Sequence, residues 1–258
     1  KTERIFTMNE EDLLKRKILD TANQAFNHNI YTYTNFLSIS ELSVVNSFKK
    51  DLSFIDHDIY GGSPLCERQL IRFGSPNLYG YDAGYPITTL KIEPLSVKFA
   101  EKLDHRDYLG ALMNLGIERE LIGDIIIKEN DAYVFCISHI SDYICDHLDT
   151  VRHTHMRCSV CTHEVPALKP ELEDIRIIAA SPRIDAVVAS IAKLSRSSSG
   201  ELFSSKKIYV NGQCIENKSM HLKPDDILVI RGKGKFIYVG DESETRKGRT
   251  YLTLKKYV

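Results

Sequence analysis

Between residues 87 and 160 the hydrophobic period switches repeatedly between two and 3.6, and that order restricts the folds open to the chain. ITTLKIEPL (87–95) alternates as a strand, and SVKFAEKLDHRDYLGALMNLG (96–116) has helical spacing that stops at Gly116. IGDIIIKENDAYVFCI (122–137) reads as two strands joined around Glu129–Asn130–Asp131. SHISDYICDHL (138–148) reads as a helix with Ser138 available as its cap, and HTHMRCSV (153–160) as a last strand. The resulting β-α-β-β-α-β order is the ferredoxin-like pattern. Sheets of this kind serve many functions, RNA binding among them, so the order speaks to fold and not to activity.

The flanking segments make the whole an α+β chain. Residues 9–27 repeat apolar positions at helical spacing, 38–51 reads as a second helix capped by Ser38 or Ser40, and DIYGGSP (58–64) ends a strand in a Gly-Gly turn. We therefore expect a small mixed α/β unit over 1–82, a ferredoxin-like domain over 83–165, a proline-containing connector over 166–180 that leads into a strand at IRIIAA, and a compact unit over 181–258. No run of about 18 apolar residues is present, so no membrane span is expected. The opening residues hold no apolar signal core, and the six cysteines are sparse for a secreted disulfide scaffold, which points to reduced thiols in the cytoplasm.

Charge is unevenly placed. The whole chain has a formal net charge of −1, but residues 181–258 carry 15 Lys and Arg against 8 Asp and Glu. A basic end on an acidic body suits a local polyanion-binding module, although ordinary charge fluctuation gives the same count. Three short motifs compete for attention. Cys158-x-x-Cys161, flanked by His153, His155 and His163, lacks the second pair typical of a zinc site, and Thr154, Met156, Cys158 and Val160 alternate as one strand face, so no metal is expected. HRDYLGALMN at 105 has Leu112 where a kinase loop needs Asn, and it reads as a polar helix start with Asp107 near the positive dipole end. RGKGKF (231–236) is a basic turn, not a P-loop, because no GKS or GKT and no helix follow it; phosphate contact and a plain solvated hairpin both remain open. HExxH, GxSxG and dinucleotide fingerprints are missing, which favours a binding protein over an enzyme and gives no cofactor.

The C-terminal unit hinges on SRSSSGELFSS (195–205), six of whose residues are serine. Ile184, Val187, Val188, Ile191 and Leu194 form one helical face ahead of it. Ser198-x-x-Glu201 has the capping-box pattern, so a second short helix is expected to begin within the run, with Leu202 and Phe203 reaching a core and the small residues on an exposed face. IYVNGQCI then enters an Asn211–Gly212 hairpin turn.

Arg183-Ile184-Asp185, Arg196-Ser197, Ile208-Tyr209-Val210-Asn211 and Pro224-Asp225-Asp226 together resemble the S-four (alpha-L) RNA-binding domain. With YGGSPLCER (60–68), HRDYLGALMNLGIERELIGDI (105–125) and RGKGKF in the same order, the chain resembles the YlmH family of bacterial S-four proteins over roughly 55–255. It departs from that pattern at Ser199 and Gly200, where Ala and a long polar residue are usual, and at Lys206, where a glycine is expected. Ser and Gly weaken an isolated helix by up to about 1 kcal/mol per position.

The resemblance implies an S-four domain over 181–258 and a second RNA-binding domain in the centre. It also implies a ribosome-associated, non-catalytic role on structured RNA (rRNA or tRNA) and the large ribosomal subunit, in quality control of stalled subunits that carry peptidyl-tRNA, with a link to cell-division gene clusters. On that basis we select Arg183, Lys193, Arg196, Ser197, Lys206, Lys207, Arg231, Lys233 and Lys235 as phosphate contacts in a monomer. Asn211 joins them, with its role in the hairpin turn equally open, and Asp185 is expected to orient an arginine or cap its helix. Two other readings remain: an RNA-modifying enzyme that uses the S-four domain as a handle, and an interaction scaffold of the division machinery.

Overall fold

The computed structural model describes residues 10–63, 66–162, 172–244 and 249–257. They form two compact units, 1–169 and 170–258. Among the described residues no helix is long and apolar enough to cross a membrane.

The first unit opens with α1 (Glu10–His28), β1 (Thr32–Tyr33), α2 (Ile39–Ser47), β2 (His57–Tyr60), β3 (Leu70–Phe73) and α3 (Pro76–Tyr79). Ser38 caps α2 in a reciprocal box with Glu41, which settles the choice between Ser38 and Ser40. The strands pair as β1-β3-β2, and Ile71 and Phe73 of β3 pack against Ile18, Ala22 and Ala25 of α1 and Leu42 and Val45 of α2.

β4 (Ile87–Pro94), α4 (His105–Asn114), β5 (Ile122–Lys128), β6 (Asp131–Ile137), α5 (Ser141–His147), β7 (Thr150–Val151) and β8 (Thr154–Val160) follow. Their sheet runs β5-β6-β4-β8-β7 with every pair antiparallel. Leu90, Ile92, Val134 and Cys136 on one face bury Tyr108 and Leu112 of α4 and Ile144 of α5.

The expected helix over 96–116 shrinks to α4, preceded by a 3-10 turn at Val97–Phe99. Asp104 caps α4 in a box with Asp107, and Val97 and Phe99 are 63% and 78% exposed, so their apolar spacing serves no core. Ser138 does not cap the next helix; a 3-10 turn at Ser138–Ile140 precedes α5, whose first residue Ser141 bonds back to the Ser138 carbonyl.

The other face of this sheet explains part of the family-like sequence. Phe135 and Ile137 pack with Phe36, Cys66 and Leu70, so residues before and after 82 share one cluster. Gly62 has φ +98°, and a Cβ there would lie 2.3 Å from the Phe135 ring. The Glu67 and Arg68 amides donate to the Asp124 carboxylate, and the Arg68 guanidinium donates to the Ile122 and Phe36 carbonyls. Gly62 and Cys66 to Arg68 therefore form a docking joint between two sheets.

The second unit contains β9 (Leu172–Ala179), α6 (Ile184–Ala192), α7 (Arg196–Ser204), β10 (Ile208–Val210), β11 (Gln213–Cys214), β12 (Ile227–Ile230), β13 (Gly234–Glu244) and β14 (Thr250–Tyr257). They build a six-stranded antiparallel sheet in the order β11-β10-β12-β13-β14-β9. The strand expected at IRIIAA is present and starts earlier, at Leu172, within the stretch expected as a connector; its eight residues form an edge strand paired along its whole length with β14. Ile184, Val187 and Val188 of α6 and Phe203 of α7 cover one sheet face through Ile208, Val210, Leu228, Ile230, Phe236, Leu252 and Leu254.

Helix α7 starts earlier than the Ser198-x-x-Glu201 pattern suggests: Ser195 is the cap, accepting from the Ser198 amide at 3.1 Å. Nor are its small residues all outward. Ser199 is fully buried, while Ser197, Ser198 and Ser204 are exposed.

Candidate nucleic-acid interface

The residues selected from sequence fall in three places within the second unit. Arg183 opens α6. Its guanidinium donates two 3.1 Å hydrogen bonds to the Asp185 carboxylate, which also accepts from the Ala186 amide. Asp185 thus orients the arginine, whereas α6, with Arg183 at its N-cap position, starts without a side-chain cap. The neighbouring backbone is tied down as well, since the Ile184 amide donates to Met220 and the Leu222 amide to Pro182.

At the other end of α6, Lys193 is exposed and left-handed, with φ 55°. Two residues separate it from Arg196, the first residue of α7, whose side chain lies outside what the structure describes. Ser197 is exposed, with its hydroxyl 2.9 Å from that of Ser195. Lys193, Arg196 and Ser197 therefore share the α6–α7 junction. Lys218, absent from the residues selected by sequence, belongs with α7: a Cβ on Gly200 would stand 3.2 Å from its ammonium. Nothing in the local sequence marks Lys218, because only the loop path between β11 and β12 brings it to the helix.

Lys206 and Lys207 lie about 13 Å further along, at the far end of α7. Lys206 takes φ 51°, the left-handed geometry that a glycine adopts freely. The Tyr209 hydroxyl donates to its carbonyl at 2.9 Å, and the Arg231 amide donates to the Lys207 carbonyl at 2.9 Å. Lys206, Lys207 and Arg231 are thereby held together by backbone bonds. Lys233 is exposed in the tight turn between β12 and β13, where Gly232 and Gly234 both have positive φ. RGKGKF is a hairpin turn that presents cations, without a phosphate-cradling helix.

Two residues behave otherwise. Lys235 alternates with the buried Phe236, so it projects from the sheet face opposite the helices, where its ammonium sits 4.8 Å from the Tyr257 ring centre. Asn211, at φ 50°, makes the hairpin turn with Gly212. Its amide donates to Asp226 at 2.8 Å and accepts from the Ile227 amide at 2.9 Å, so both ends are engaged inside the chain. Asp226, 9% exposed, also accepts from the Lys223 amide.

The central sheet presents a different surface. On its face away from α4 and α5, Lys91 bridges Glu93 and Asp131, and Arg157 pairs with Glu93 at 2.5 Å. These contacts hold the Glu93 carboxyl below the usual carboxylate range, first through Lys91 and then through Arg157. That face is self-neutralised and is not a basic platform. Cys158 projects toward α5, its sulfur 3.4 Å from that of Cys145, and burial pushes both thiols up. His153 and His155 are exposed, and His163 lies outside the described residues. Among the described residues no cluster of three or more His, Cys, Asp or Glu is arranged to hold a metal.

Known proteins share this organisation in part. Residues 82–164, which contain the β-α-β-β-α-β sheet, match the family model "Putative RNA-binding domain in YlmH". The class is thus that of chains with an RNA-binding domain built on an antiparallel sheet. The "Ribosome-associated protein quality control protein P2" of Bacillus subtilis (strain 168) is 28% identical over 172 residues, covering 64% of this chain and 66% of the relative, just under two thirds of its length. The solved structure of "Cell division protein ylmH from Streptococcus pneumoniae" aligns with a TM-score of 0.49 at 15% identity, over 60% of this chain and 93% of that one. Over residues 82–164 the chain is similar to the YlmH family.

Proposed function

We propose that the protein is a cytoplasmic, non-catalytic RNA-binding factor of the ribosome, acting as a monomer that holds peptidyl-tRNA on stalled large subunits. In this reading residues 83–165 form a ferredoxin-like RNA-binding domain and residues 181–258 an S-four domain. The observation that carries it is the basic rim around α6 and α7: Arg183 oriented by Asp185, Lys193 at one helix end, and Lys206 and Lys207 fixed beside Arg231 at the other. Cations spread over two short helices and one turn suit a structured RNA, which is read through backbone and shape. The name of the Bacillus subtilis relative points to the ribosome and to quality control.

Co-sedimentation with purified large subunits, with and without bound tRNA, tests this across a salt series. Binding should weaken steeply as salt rises and should fall at least tenfold in an Arg196→Ala/Lys207→Ala variant. Binding that the variant retains moves the interface to residues 83–165. No binding to subunits or to free tRNA refutes the reading and turns the search to protein partners of the division machinery. Product analysis of RNA incubated with the protein separates this function from RNA modification, which would leave an altered nucleoside.

A further inference from the structure

The six-stranded sheet has two unlike faces. One is buried beneath α6 and α7. Alternation sends the intervening residues of β9, β14 and β13 to the other side, a face that is exposed along β9 and half-exposed along β13 and β14. It carries tyrosine rings with cations layered on them. Arg176 stands 4.1 Å from the Tyr251 ring centre and Lys235 4.8 Å from that of Tyr257. At the edge of this face the surface closes: Tyr209 is buried, with Arg231 5.3 Å from its ring centre. Lys255 lies between the two tyrosines of β14 and faces Asp174 across the β9 pairing. Ile178 and Val239 on this side are 45% and 42% exposed.

We infer that this second face binds an unpaired stretch of RNA, with bases stacking at Tyr251 and Tyr257 and phosphates meeting Arg176, Lys235 and Lys255. The surface is distinct from the helix rim, and the inference rests on the RNA-binding function proposed above. Two features select nucleic acid over a protein partner. Among the described side chains of β9, β13 and β14 on this face, the one acid is Asp174, which Arg176, Lys235 and Lys255 outnumber, whereas the centre of a protein interface is depleted of charge. The cations also sit beside aromatic planes, the combination on which single strands are held without regard to sequence. The two rings lie six residues apart on β14, roughly 20 Å.

Fluorescence anisotropy of the full chain with a labelled 12-nucleotide uridine oligomer, and separately with folded tRNA, tests the assignment. Tyr251→Leu/Tyr257→Leu should lose at least tenfold in oligomer affinity while tRNA affinity changes less than twofold. Tyr251→Phe/Tyr257→Phe, which keeps the rings, should stay within twofold on both probes, and thermal melts of both variants report folding. Unchanged oligomer binding by a folded Leu variant overturns the inference. A wild-type chain that binds tRNA but not the oligomer also overturns it and leaves the RNA-binding function standing. Binding to neither probe removes both. Loss of subunit co-sedimentation in the Leu variant, with no oligomer affinity in the wild type, assigns the face to a protein and overturns the inference as well.

Discussion

Lys193 and Lys206 end the two helices of the C-terminal unit in the same way. Each adopts a left-handed conformation, with φ 55° and 51°, and each sits in a paired set of closing bonds. After α6 the Leu194 amide reaches the Ala189 carbonyl and the Lys193 amide reaches Ser190. After α7 the Lys207 amide reaches Leu202 and the Lys206 amide reaches Phe203. Both are Schellman closures in which lysine holds the place that favours glycine. The helix dipole welcomes a cation there, but the Cβ is strained. We expect Lys193→Gly and Lys206→Gly each to stabilise the unit by about 0.5–1 kcal/mol while weakening RNA binding and flattening its salt dependence. Urea melts and binding isotherms on the same variants check this. A glycine variant that gains stability and keeps full RNA affinity would show that the lysine does not touch RNA.

Asn211 should behave in the opposite sense. Its amide bridges Asp226 and the Ile227 backbone, and its backbone is left-handed. Asn211→Ala leaves the mostly buried Asp226 short of one donor and puts a Cβ where the turn disfavours it. A loss of about 1–3 kcal/mol is expected in urea unfolding. RNA affinity measured well below the melting midpoint should stay within twofold. A selective loss of affinity with unchanged stability would make Asn211 an RNA contact instead.

What the sequence discloses here follows the range of each interaction. The Asn211–Gly212 turn and the α6 face were legible because the residues that form them lie a few positions apart. The glycine expected at position 206 matches the left-handed backbone that Lys206 actually adopts. The start of α7 was displaced by three residues because several serines in one run can all cap, and only the backbone path selects Ser195. Val97 and Phe99 mimicked a helical core face, but a core face exists only where another element covers it. The β9–β14 pairing joins residues from Thr250 with Ala179 to Tyr257 with Leu172, far apart in the chain. That long-range register is what turns TYLTLKKY from an alternating strand into half of an aromatic and basic surface. The division of the selected cations between helix rim and sheet face was hidden for the same reason.

Gly62 tests the joint between the two sheets of the first unit. Its φ is +98°, and a Cβ at this position would come within 2.3 Å of the Phe135 ring, which leaves no room for a side chain. Gly62→Ala should cost about 2–4 kcal/mol through backbone strain and displacement of the Phe135 ring from Phe36 and Leu70. Hydrogen exchange should show lost protection in β3 and β6 first, with β10 and β12 unchanged. Equal loss in both units would mean that Gly62 supports more than this joint.

The first unit should also lose stability in acid. The Asp82 carboxyl is held low first by the Gly84 amide and then by Arg72, and Asp107 first by the Asp104 amide and then by Arg152. Lys91 holds Glu93 low, followed by Arg157. A carboxylate whose folded pKa lies below its unfolded value contributes stability that is complete above about pH 4 and is lost as pH falls through the folded pKa. His105 is pushed down from its ordinary 6.5, mainly by burial and then by Arg119. For a depressed histidine the unfolded chain takes the proton first, so stability is complete above 6.5 and declines below it. Both effects have the same sign. Exchange protection of the Ile92 and Val134 amides, corrected for intrinsic rates, should fall gradually from pH 7 to 5 and more steeply below about pH 4. Asp107→Asn should flatten the acid limb and leave the histidine-driven decline between pH 7 and 5 in place. A first unit that gains protection on acidification would contradict this electrostatic account of Asp82, Glu93, His105 and Asp107.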